Sequence, residues 1–81
     1  MRVMIHGYRR VDMEDDKGRS INGFSCFCGY PLDGVEGQQV DKIFVSDTIC
    51  RASGFSPRLG EAEMDTTPKG RLIGARMISA K

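Results

Sequence analysis

Apolar and polar residues alternate along most of this chain in short runs separated by glycine-rich turns, and few stretches carry a helical period. Strand-like runs fall at Arg2–Met13, Ser20–Tyr30, Gln38–Asp47, Glu61–Thr66 and Arg71–Ser79. In the first run Val3, Ile5, Val11 and Met13 share one parity, with Gly7 between them where a long strand would bend. Arg9 has the same parity, so a bulge is expected around residues 7–9. In the second run Phe24, Cys26, Cys28 and Tyr30 share a face, and Phe27 takes the other. The third places Ile43 and Val45 on one face and Val40, Lys42 and Phe44 on the opposite one. Polar turns are predicted at Glu14–Gly18 and Thr67–Gly70, where Gly or Pro supplies the backbone angles a turn needs.

Between the third and fourth runs, Ser46 or Asp47 is positioned to cap a short helical turn over Thr48–Ala52. Gly54 would end it, and Pro57 blocks its continuation. Three strands, a helical turn and a final hairpin predict an all-β fold. The expected form is a small five-stranded antiparallel barrel of the OB type, with Ile49, Cys50 and Phe55 plugging one end. An SH3-like barrel competes, but its helical turn normally falls between the last two strands. Closure is expected because a single sheet must otherwise leave its apolar face and its edges exposed.

Length makes residues 1–81 one domain with a thin core. A chain this small buries only about 60% of its unfolded surface. Its net stability should be roughly 4–8 kcal/mol, and a homodimer is the expected way to cover leftover apolar surface. Twelve Lys/Arg against eleven Asp/Glu leave a net charge of +1, which does not indicate nucleic-acid binding through bulk charge but leaves room for a local basic face. Nothing in the sequence resembles a signal peptide or a membrane span, and three cysteines do not make a disulfide framework. A cytoplasmic, reduced setting without membrane association is expected.

The final segment, Lys69-Gly70-Arg71-Leu72-Ile73-Gly74-Ala75-Arg76-Met77-Ile78-Ser79-Ala80-Lys81, resembles the end of the filamentous-phage gene V proteins. The shared pattern is a glycine turn, an apolar pair, an arginine, further apolar residues and a terminal Ala-Lys. The resemblance covers little beyond that hairpin. It implies an OB-fold homodimer that coats single-stranded DNA with aromatic and arginine side chains. Met64–Pro68, the hairpin arm before it, departs from the pattern in having no aromatic residue and two nearby acids, Glu63 and Asp65. The runs Gly7–Asp12 and Lys42–Ser46 are also similar to small uncharacterised proteins of bacterial mobile elements.

Single-strand binders pair aromatic platforms for bases with cations for phosphates. Tyr8, Tyr30 and Phe44 are the candidate platforms, and Arg10, Lys42, Arg71 and Arg76 the candidate phosphate contacts, with Arg9 nearby. Phe24, Phe27 and Phe55 are assigned to the core, the usual place for aromatics in a small barrel. Arg9 and Arg10 have a second reading as partners of Glu61 and Glu63 across the sheet. Cys26, Cys28, Cys50 and His6 have the side chains of a Cys3His zinc site, but two cysteines at alternate strand positions lack the knuckle spacing, and core filling is favoured. No cofactor, no small-molecule substrate and no catalytic constellation is expected, because His6 is the only histidine and has no nucleophile in sequence register with it. The leading expectation is therefore non-catalytic binding of single-stranded DNA or RNA with weak sequence preference. The alternative is a protein-interaction module of a phage or mobile element.

Overall fold

The computed structural model describes residues 1–78, so the terminal Ser79, Ala80 and Lys81 lie outside the described residues. Five strands form one antiparallel sheet: β1 (Arg2–Glu14), β2 (Ser20–Tyr30), β3 (Gln39–Ser46), β4 (Gly60–Thr66) and β5 (Leu72–Met77). A helix, α1 (Asp47–Ser53), joins β3 to β4. The order across the sheet is β3-β2-β1-β4-β5. β1 is the organising strand, because it pairs with β2 along nearly its whole length and with β4 only over Arg2–Ile5. The sheet does not close into a hydrogen-bonded barrel; β3 and β5 are its two edges.

The core sits on one face. Val3 and Ile5 of β1, Cys26 and Cys28 of β2, Val45 of β3, Ala62 and Met64 of β4, and Ala75 of β5 are all buried there together with Phe55. The parity expected for β2 and β3 holds: Phe24, Cys26, Cys28 and Tyr30 turn toward this core with Ile43 and Val45, whereas Phe27 and Phe44 turn away. In β1 the expected parity fails after the bulge. The register slips between Ile5 and Gly7, so Val11 and Met13 emerge on the face opposite Val3 and Ile5.

α1 forms for local reasons. The Ser46 hydroxyl accepts from the Ile49 N–H at 3.3 Å, and Asp47 places a negative charge in the first turn. Gly54 ends it at φ 68°, a left-handed angle that a side chain resists, and the Phe55 N–H donates to the Cys50 carbonyl at 2.9 Å. The helix packs mainly on β5 and lays Ile49 and Cys50 against the core. Ser53 Oγ accepts from the Ala75 N–H at 3.3 Å, which satisfies one donor on the outer edge of β5.

Candidate nucleic-acid interface

The bulge in β1 decides which side chains share a surface. Beyond it Tyr8, Arg10 and Asp12 stand opposite Cys26, Phe24 and Asn22, on the core side of the sheet. Arg9, Val11 and Met13 go to the outer side. The registers of β1, β2 and β3 then set out three cross-strand rows on that outer face: Gly7–Phe27–Lys42, Arg9–Ser25–Phe44 and Val11–Gly23–Ser46. Phe27 and Phe44 are diagonal neighbours on adjacent strands.

Glycines seat these rings. A Cβ at Gly23 would fall 2.8 Å from Phe44 Cζ, and one at Gly7 would fall 3.9 Å from Phe27 Cδ2. Each ring therefore lies over a position with no side chain, and the two remain 37% and 38% exposed. His6, the bulge residue, is likewise laid over Gly29. The cations Arg9 and Lys42 flank the rings, and neither enters an ion pair among the described residues. No Asp or Glu occupies an outward position of β1, β2 or β3 between Met4 and Met13, Ile21 and Gly29, or Val40 and Ser46. The outward carboxylates of the sheet begin on β4, with Glu61, Glu63 and Asp65; Asp12, Asp41 and Asp47 lie toward the core-side rim, Glu14–Asp16 at the first turn, and Asp33 and Glu36 in the loop after β2.

Beyond Phe44, between the edge of β3, α1 and the start of β5, lies an open cleft of about 680 Å³ that Arg71 also lines. Three of the sequence candidates, Lys42, Phe44 and Arg71, thus come to one side of the molecule. Of the other four, Tyr30 shares a separate hollow with Lys42 and Leu72, beside Asp41, and Tyr8, Arg10 and Arg76 are held elsewhere. Tyr8 lies edge-on to Phe24, with centroids 6.2 Å apart at 73°. Arg10 stacks on the same Phe24 at 5.2 Å while its guanidinium donates to Asp12 and, at 2.7 Å from both Nη1 and Nη2, to Asp47. These bonds raise its pKa and hold the Asp47 and Asp12 carboxyls below the usual range. Arg10 therefore clasps the β1–β2 arm to the start of α1 and pairs with neither Glu61 nor Glu63; those acids face Met4 and Arg2 instead. The Tyr30 hydroxyl donates to Asp41, which pushes its pKa up. Arg76 stands directly opposite Glu63, whose carboxyl is held low chiefly by the N-terminal amine at 2.8 Å.

Phe27 is exposed rather than core, and Phe24 is only half-buried; of the three rings assigned inward, Phe55 alone is buried. The opposite parity of Phe27 to its neighbours was the available signal. The thiols of Cys26 and Cys28 are enclosed in the core while His6 is exposed on the other face, so the four candidate zinc ligands do not converge. No cluster of His, Cys, Asp and Glu suited to a metal occurs among the described residues. No helix among them is long and apolar enough to cross a membrane. Comparison with protein-family models, curated proteins and solved structures finds no match.

Proposed function

We propose that this chain binds single-stranded nucleic acid, DNA in the first instance, without catalysis. The observation that carries the reading is the outer face of β1–β3: two exposed phenylalanines seated on glycines, two unpaired cations and no carboxylate. The acids on the outer side of the sheet, Glu61, Glu63 and Asp65, are confined to β4, which leaves the β1–β3 part of that face attractive to phosphate. Bases stack on Phe27 and Phe44 while Arg9, Lys42 and Arg71 meet the backbone. Tyr8, Tyr30, Arg10 and Arg76 support the scaffold and its rim instead. Stacking accepts any base, so sequence preference is weak. The reading treats the open sheet as a partly open OB-like barrel, which uses its second and third strands and its last hairpin for oligonucleotides. A cytoplasmic homodimer from a phage or mobile element belongs to the same proposal.

Fluorescence anisotropy with labelled oligo-dT and a matched duplex, across a range of salt, tests it. Three phosphate contacts predict a log–log salt slope near −2, at about −0.7 per contact on a single strand. Removing the Phe44 ring should weaken binding by at least fivefold, since a stacked base contributes about 1–3 kcal/mol. Equal binding to duplex, or none to the single strand at low salt, would refute the reading. A second reading rests on the unpaired edges of β3 and β5, which offer backbone groups to a partner's extended strand. It predicts binding to protein with little dependence on salt.

A further inference from the structure

β5 carries a second bulge, between its pairings Asp65↔Gly74 and Thr66↔Leu72. It has a consequence for the chain's apolar pattern. Ala75 and Met77 face the core, and strict alternation would send Ile73 there too. The slipped register turns Leu72 inward instead, and Ile73 is left 58% exposed. An isoleucine pushed out of a thin core adds nothing to its packing. It does line the 680 Å³ cleft from the β5 side, while Phe44 lines the same cleft from β3. Among the described residues Arg71 is the only charged one along that cleft, and the hydroxyls of Ser46, Thr48 and Thr67 supply donors and acceptors on its walls. The cleft therefore offers two apolar walls, a cation and short hydroxyls, with no carboxylate.

Resting on the single-strand reading, we infer that this cleft is a base slot: one nucleobase of the bound strand enters between Phe44 and Ile73, with its phosphate on Arg71. Charge selects the occupant, because the lining is cationic and the platform that shares Phe44 is free of acids. The size of the cleft falls within the roughly 300–1,000 Å³ typical of small-ligand sites. The slot continues the stacked path from Phe27 across Phe44 to the edge of β3. It makes Ile73 a binding residue that no aromatic or charge pattern would reveal.

The test uses the full chain with methyl-labelled isoleucine, titrated with the hexamer dT6 and followed by NMR. The Ile73 δ1 methyl should move upfield under the ring current of a base, while the buried Ile5 methyl stays nearly still. Ile73→Ala, which removes no core contact, should melt like the wild type and bind labelled oligo-dT roughly fivefold or more weakly, the low end of one stacked base. Its salt slope should be unchanged, since no ion contact is lost. A stationary Ile73 methyl on a protein that binds dT6, or full affinity in Ile73→Ala, overturns the slot and leaves the platform standing. Movement with protein concentration alone assigns the cleft to a second copy and also overturns it. Absence of any dT6 binding would defeat the single-strand reading itself.

Discussion

Gly23 should be among the least replaceable positions in this chain, and Gly7, on the same face one strand away, among the most tolerant. A Cβ at Gly23 would lie 2.8 Å from Ser46 Cα and 2.8 Å from Phe44 Cζ, with the Val45 carbonyl oxygen closer still, whereas ordinary contact begins at 3.4 Å. Two of those neighbours are backbone and cannot rotate away, so Gly23→Ala must push β3 off β2 at that row. Overpacking of this kind costs about 1–3 kcal/mol. Ser46 also caps α1, and losing a cap adds up to about 1 kcal/mol. For a domain this size each 1 kcal/mol shifts the melting temperature by about 4–8 °C. Gly23→Ala should therefore melt at least 5 °C below the wild type and, by lifting the Phe44 ring, bind oligo-dT more weakly at temperatures where it is folded.

The same methyl group at Gly7 meets only Phe27 Cδ2, at 3.9 Å, and Gly7 has no positive φ. Gly7→Ala should leave stability unchanged or raise it by about 0.4–1 kcal/mol, because the unfolded chain loses freedom. The assay is thermal and urea unfolding followed by far-UV circular dichroism on the two variants side by side. Equal shifts, or a Gly23→Ala midpoint within the error of the wild type, would refute the argument that the Phe44 ring and β3 backbone are seated on a bare glycine.

Two further outcomes follow from the ionisable groups. The carboxyls of Asp12 and Asp47 are held low by their bonds to Arg10, so their contribution is fully present above the unfolded carboxyl value, about 3.9, and is lost as pH falls through the lower folded values. Urea midpoints from pH 6 down to pH 2 should therefore show the gap between wild type and Arg10→Met closing below about pH 4; a gap independent of pH would mean the clasp acts through packing alone. Burial pushes the Cys26 thiol up to about 12 and that of Cys28 upward as well. At pH 8 a disulfide reagent should modify half-buried Cys50 first and reach Cys26 and Cys28 only at the rate of unfolding, as peptide mass mapping over time would show. Immediate loss of all three thiols would contradict an enclosed core.

Alternation located the five strands and the faces of β2 and β3, and cap and glycine signals placed a helical turn that Ser46 or Asp47 would open and Gly54 would end, because each depends on neighbours within a few residues; the structure makes Ser46 the cap. It also marked Lys42, Phe44 and Arg71, which the fold brings to one side. What the sequence left open depends on pairing between distant segments. A bulge is expected from the sequence around residues 7–9, but its place, a one-residue slip at His6, is set by pairing; the slip reverses every side chain that follows in β1, so Tyr8 and Arg10 join the core side and Arg9 the outer face. Another slip in β5 expels Ile73 and draws in Leu72. Asp47, 37 residues from Arg10 in the chain, takes up the guanidinium that the sequence offered to phosphate. Only the tertiary structure left the sheet open between β3 and β5, with α1 packed beside the gap, since closure depends on how far the two edges curl toward each other and not on any local pattern.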